Sequence, residues 1–155
     1  MNLLVKKINP MSKVEEFLSK TEEQEIVAAI CQSEKNTSGE IRVHLEKETS
    51  LEAIDRAIEV FNTLEMHKTK DANGVLIYVA VKSKKFAICG DTGINKVVPA
   101  DFWESTKNIM STHFRSGNFK QGLVDGVLKA GEQLQKYFPY QDDDTNELAN
   151  EISKG

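Results

Sequence analysis

Two cysteines, three prolines and a single tryptophan in 155 residues exclude several kinds of protein at once. Two thiols cannot build the disulfide framework of a small secreted domain. Neither Cys31 nor Cys89 has a Cys or His neighbour at the spacing of a zinc-ligand pair, so both read as small buried hydrophobes of a reducing compartment. No apolar run approaches the roughly 18 residues needed to span a bilayer, which argues against direct membrane insertion. At the start, Lys6 and Lys7 follow a very short apolar run, the reverse of a secretory signal, and the expectation is a cytoplasmic chain. A basic face is missing too. Net charge is −4 with lysines interleaved among acids, so nucleic acid is not an expected partner. There is no Gly-Xaa-Ser-Xaa-Gly elbow, P-loop, dinucleotide fingerprint or EF-hand loop spacing.

What the chain does have is an ordinary globular mix of 39% hydrophobic and 28% charged residues, at a length that buries one real core. The expected organisation is a flexible lead-in over 1–11 and a single domain over 12–140. Residues 141–155 then form an acidic tail, carrying Asp142-Asp143-Asp144 and a short helix over 147–152.

Within the domain, Ser12 can cap a short helix through residue 19. Thr21-Glu22-Glu23-Gln24 reads as a capping box, with Ile26, Val27 and Ile30 supplying an apolar face. Beyond Gly39, Ile41, Val43 and Leu45 alternate with Arg42, His44 and Glu46, the period of a half-buried strand. Ser50 is placed to cap the next helix. There Leu51, Ile54, Ala57, Ile58, Phe61 and Leu64 share one face, and Glu52, Arg56 and Glu59 point outside.

Residues 74–81 are nearly continuously apolar, the mark of a strand covered on both faces. Lys82-Ser83-Lys84 turns tightly into a second strand over 86–89, which must be antiparallel to the first. Asp91-Thr92-Gly93 closes the hairpin. Asp101-Phe102-Trp103-Glu104 reads as another capping box, opening a helix through Ile109, Met110 and Phe114 that Gly117 stops. The last long helix carries Phe119, Leu123, Val127, Leu134 and Phe138, with Gly122, Gly126 and Gly131 allowing close packing. The helical connection from 41–47 to 75–81 predicts parallel strands. The fold class is therefore α/β, a three-layer α/β/α sandwich around a small mixed sheet.

Gly74-Val75-Leu76-Ile77-Tyr78-Val79, Ile88-Cys89-Gly90-Asp91-Thr92-Gly93-Ile94, Phe102-Trp103 and the closing helix together resemble the TPM family. That family is named from a plant thylakoid lumen protein, a photosystem repair protein and a nematode receptor modulator. The resemblance runs from residue 37 to about residue 139 and is closest to the short, unattached bacterial form. It implies an α/β sandwich, divalent-cation binding in an acidic crevice and, for the plant member, a weak acid-phosphatase activity. In the family an acidic residue usually stands directly before the Asn-Gly pair, whereas here Ala72 separates Asp71 from Asn73-Gly74.

Topology suggests where chemistry could gather. With the first two strands parallel and the third returning, Glu40, Asp71 and Asp91 come to one end of the sheet, and Asp101 follows soon after. Four carboxylates and Asn73 around one crevice form an oxygen-rich group of the kind that calcium or magnesium takes. Each also has a plain structural reading: Asp101 as an N-cap with Glu104 its partner, Asp91 as a turn former, Glu40 and Asp71 as solvated turn residues. His44, His67 and His113 are scattered without partners at ligand or triad spacing, and Trp103 with Phe102 reads as a core anchor under the crevice. No catalytic residue is assigned. The expected function is a monomeric, cation-binding module that docks on a protein partner without catalysis. The alternative is a weak metal-dependent phosphatase acting on phosphate esters, with Lys70 and Lys96 as the loop cations at hand.

Overall fold

The computed structural model describes residues 17–141 and 150–155. The expected lead-in over 1–11, the helix start at Ser12 and most of the acidic tail therefore lie outside the described residues. The elements run α1 (Lys20–Glu34), β1 (Glu40–Glu46), α2 (Ala53–Thr63), a 3-10 turn (Met66–Lys68), β2 (Gly74–Ala80), β3 (Lys85–Gly90), α3 (Thr92–Asn95), α4 (Glu104–Arg115), α5 (Phe119–Gln135) and β4 (Ile152–Lys154).

The sheet order is β3-β2-β1-β4. β1 and β2 are parallel with Val43 opposite Ile77, and β3 is antiparallel to β2 with Ile77 opposite Ile88, as the connection lengths require. β4 adds parallel to β1 on its other edge. The tail thus ends as a strand where a helix through Ile152 was expected, because the β1 edge offers unpaired backbone groups that a short extended segment satisfies.

Helices cover both faces, giving the three-layer sandwich. On one face Ile26, Ile30, Met110, Leu123, Val127 and Leu134 from α1, α4 and α5 meet Ile41, Val43, Val75 and Ile77. The glycines of α5 serve this packing: a β-carbon on Gly126 would lie 2.7 Å from the Met110 side chain, and one on Gly131 2.6 Å from Ser33. On the other face Ala57, Val60, Phe61 and Met66 close over Leu76 and Tyr78.

Three local expectations are corrected. The capping box of α1 starts at Ser19: its hydroxyl accepts from the Glu22 amide at 3.1 Å, while the Glu22 carboxylate accepts from the Ser19 amide at 2.9 Å. Ser19-Lys20-Thr21-Glu22 satisfies the same Ser/Thr-Xaa-Xaa-Glu rule two residues earlier. Asp101 caps nothing with its side chain; α4 begins after Trp103, and Asp101 sits in a turn where its carbonyl accepts from the Glu104 amide. On α2 the inward face is Ala57, Val60 and Phe61, preceded at N-cap by Glu52 instead of Ser50. Leu51, Ile54 and Ile58 are exposed. The small Ala57 lets α2 approach the sheet, and Arg56 turns inward to reach a buried carboxylate.

Candidate functional site

The register sets the geometry of the candidate site. Glu40 lies opposite Gly74 and Val75 opposite Gly90, so the starts of β1 and β2 and the exit of β3 share one end of the sheet. Three backbone hydrogen bonds fasten that end: Glu40 N to Asn73 O at 3.2 Å, Asp91 N to Gly74 O at 2.9 Å and Gly93 N to Ala72 O at 2.9 Å. The loop before β2 folds back on Thr69, whose hydroxyl accepts from the Asn73 amide at 3.2 Å. Ala72 carries a positive φ of 50°, a conformation that costs a residue with a β-carbon about 1–2 kcal/mol. Asn73 is buried, and its side-chain amide donates to the Ser38 carbonyl at 3.2 Å. It ties the β1 and β2 entries together.

The four predicted carboxylates fare differently. Glu40 is buried and Asp91 is 8% exposed, whereas Asp71 and Asp101 are exposed. Asp91 caps α3: its Oδ1 accepts from the Thr92 amide at 2.7 Å. Its other oxygen, Oδ2, is buried without a hydrogen-bond partner among the described residues. An ionised carboxylate oxygen so placed is costly unless a cation or donor meets it. Backbone topology thus brings Glu40, Asp71 and Asp91 to one end, while Asp101 stays in the turn before α4. Among the described residues no three His, Cys, Asp or Glu side chains are grouped as a metal-holding cluster. Asp91 marks its neighbour: burial, with the Asp91 charge adding, pushes the Cys89 thiol up to about 11. That keeps Cys89 protonated and unreactive. Trp103 is partly buried edge-on to Phe102, with ring centroids 4.6 Å apart.

Two features escaped the sequence reading. Glu34, at the end of α1, reaches across to accept from the Ile41 amide at 2.9 Å. Burial pushes its carboxyl up to about 7, outweighing that bond and one from Asn150. The second is a buried polar network on the α2 side of β1. His44 and Glu46, expected to face outward, are 5% and 6% exposed. Arg56 donates to Glu46 through Nε at 2.8 Å and Nη2 at 2.9 Å, the Tyr78 hydroxyl donates to the same carboxylate, and His44 Nδ1 bonds Ser153 Oγ at 2.9 Å. β1 lies inside the sheet between β2 and β4, and Arg56 of α2 reaches over to Glu46 on its second face. Alternation alone signals one covered face, and Arg56 comes from a helix, so the strand pattern carries no mark of this network.

The other histidines lie elsewhere. His113 on α4 meets Asp125 on α5 at 2.9 Å, and His67 is exposed in the 3-10 turn. Neither stands with the carboxylates as a base.

Comparison with known proteins agrees with this architecture. The sequence pattern of the TPM domain matches residues 11–133. The structure resembles the NMR structure of the BA42 protein from the psychrophilic bacterium Bizionia argentinensis, with 61% identity and a TM-score of 0.87, over 94% of this chain and 100% of that one. The N-terminal domain of a P. gingivalis protein is 18% identical with a TM-score of 0.66, over 88% of this chain and 92% of that one. The N-terminal domain of the Corynebacterium glutamicum protein cg2496 is 10% identical with a TM-score of 0.60, over 89% of this chain and 80% of that one. At those two identities the likeness is one of fold. No curated protein matches the chain. The chain belongs to the TPM domain family.

Proposed function

We propose that this chain is a cytoplasmic, monomeric TPM domain that binds calcium or magnesium at the sheet end of Glu40, Asp71 and Asp91, and docks on a protein partner without catalysis. The observation that carries the reading is Asp91 Oδ2, a carboxylate oxygen buried without a hydrogen-bond partner among the described residues. A hard cation supplies the charge that such an oxygen calls for, and Glu40 and Asp71 arrive at the same end through backbone bonds of 2.9–3.2 Å. Asp101, exposed in the turn before α4, is the fourth carboxylate of the proposed set. The absence of an assigned nucleophile or base favours a docking role over phosphate-ester hydrolysis, since a phosphoryl transfer needs its charge stabilised by placed donors.

The test is a titration of the labelled protein with calcium and then magnesium, followed by amide NMR. Amides at 40, 71–74 and 90–93 should shift, and the melting temperature should rise by mass action. Asp91→Asn keeps the oxygen that caps Thr92 and removes the charge, so it should weaken binding and shrink that rise. Unchanged spectra in millimolar calcium and magnesium would sink the metal reading. A phosphatase activity abolished by a single substitution in this chain would sink the non-catalytic one.

A further inference from the structure

At the opposite end of the sheet from the carboxylates, the β2–β3 hairpin and the α4–α5 corner enclose a groove of about 620 Å³. That volume suits a small organic ligand, for which pockets of about 300–1,000 Å³ are usual. Its floor is apolar and aromatic. Phe86 meets Phe114 edge-on at 5.2 Å, Phe114 meets Phe119 at 5.5 Å, and all three are only partly buried. Val79 and Val81 complete the floor. Partly exposed phenylalanines gathered in one concavity are unlike the scattered apolar residues of an ordinary surface.

The rim is charged with one sign. Among the described residues, Lys84, Lys85 and Arg115 line the groove and no carboxylate does, on a chain whose net charge is −4. Lys85 is committed elsewhere, since its ammonium donates to the Leu51 carbonyl at 3.0 Å. Lys84 and Arg115 have no carboxylate partner among the described residues. Arg115 is held over the groove by Ser111: Nη2 donates to Ser111 Oγ at 3.0 Å and Nε to the Ser111 carbonyl at 3.4 Å. Its Nη1 hydrogens stay available to an acceptor. Lys84 projects from the hairpin at a φ of 56°, a left-handed conformation in a residue other than glycine.

We propose that this groove binds a small amphipathic anion, a monocarboxylate on an aliphatic tail, with the tail on the phenylalanine floor and the head between Lys84 and Arg115. The charge complementarity selects the sign of the head, and the aromatic floor selects an apolar body. The site lies on the far side of the domain from the carboxylate end, so it stands or falls apart from the cation proposal.

Decanoate, kept below its micelle concentration, is the probe, titrated into the full labelled chain and followed by NMR. Amides of the hairpin and of the α4–α5 corner should shift together to saturation, while those at 40, 71–74 and 90–93 stay put. Decan-1-ol, with the same tail and no charge, should bind about tenfold more weakly, the scale of a charge-assisted bond. Lys84→Ala and Arg115→Ala lie at the surface and leave the core intact, and each should weaken decanoate binding severalfold. Arg115→Lys should restore part of it, and Lys96→Ala, at the carboxylate end, should change nothing. Equal binding of decanoate and decan-1-ol, or wild-type affinity in both alanine variants, overturns the proposal. So do shifts at Phe86, Phe114 and Phe119 that depend on protein concentration alone, because the groove then belongs to a second copy of the chain.

Discussion

A β-carbon on Gly93 would lie 2.5 Å from the carbonyl oxygen of Ala72, and closer still to that of Asp71. The loop that carries Asp71 is thus laid on the backbone of the loop that carries Asp91, with only a hydrogen atom's space between them. Both obstructing atoms are main chain, so Gly93→Ala must push the two loops apart.

Gly93→Ala should therefore destabilise the fold by about 2–3 kcal/mol, at the upper end for an overpacked site. Gly126→Ala makes a useful contrast. Its obstacle is the Met110 side chain at 2.7 Å, a flexible group that can yield, and helix propensity favours alanine by about 1 kcal/mol. That variant should lose less than about 1 kcal/mol. Urea unfolding of the two proteins side by side decides the matter, and similar losses would mean that the loops yield more easily than their contact implies.

The Glu46 carboxylate is held by three donors, two from Arg56 and one from Tyr78. These bonds, Arg56 first, hold its carboxyl below the usual range against the opposing effect of burial. A depressed carboxylate contributes stability that is present above the ordinary value of about 4.5 and lost as pH falls through the folded one. Arg56→Ala leaves a buried charge with one donor and should cost about 2 kcal/mol at pH 7, less than a fully buried pair because Arg56 is a third exposed. Tyr78→Phe should cost about 1–2 kcal/mol, a single bond to a charged group. Their double variant should lose less than the sum in a thermodynamic cycle; strict additivity would show that the two donors act independently.

How much of this was legible follows from what each element depends on. β2 shows itself because residues 74–81 are apolar without alternation, and both covered faces are real. β3 follows from a turn too short for anything but an antiparallel return. α5 shows itself by its stripe and by glycines whose neighbours are now known. The convergence of Glu40, Asp71 and Asp91 on one sheet end was also legible, since it follows from strand direction alone. Side-chain proximity was not, because direction says nothing of where Asp101 sits in the turn before α4. The Ser19 cap was missed because two overlapping patterns satisfy one rule. β4 was missed for a different reason. Three residues hold no period, and Ile152, Ser153 and Lys154 are extended because β1 offers Val43, His44 and Leu45 to pair with.

Glu34 should make the protein more stable in mild acid than at mildly alkaline pH. Burial raises its carboxyl to about 7 from an ordinary 4.5. A raised group contributes stability that is full below about 4.5 and lost as pH rises through about 7. Glu34→Gln keeps an oxygen for the Ile41 amide and removes the titration. It should be more stable than the parent at pH 8 by the order of 1–2 kcal/mol, discounted for its partial exposure, and nearly equal to it at pH 4.5. Thermal melts of both proteins across this range provide the check. A constant difference at all pH values would mean that Glu34 does not titrate there.

His44 works in the opposite sense, and its effect should be local to β4. Burial lowers its pKa first; among the facing charges Glu46 raises it, while Arg56 from α2 and Arg42 from β1 lower it. Its Nδ1 is bonded to Ser153, and Gly155, the residue just after β4, donates its amide to the Leu45 carbonyl at 2.9 Å. Gly155 sits so close that a β-carbon there would lie 2.8 Å from His44 Nε2. The neutral ring is what this packing accommodates. A His held below its ordinary 6.5 contributes stability that is present above that value and lost as pH falls below it. Because Glu34 titrates nearby with the opposite sign, the measurement belongs in the Glu34→Gln background. There the Gly155 amide, corrected for intrinsic exchange, should lose protection from pH 7.5 to pH 5.5, while the amides of β2 keep theirs. Ser153→Ala removes the bond to Nδ1 and should lower protection at both pH values. Equal protection of Gly155 at pH 5.5 and 7.5 would show that β4 holds to β1 whatever the charge on His44.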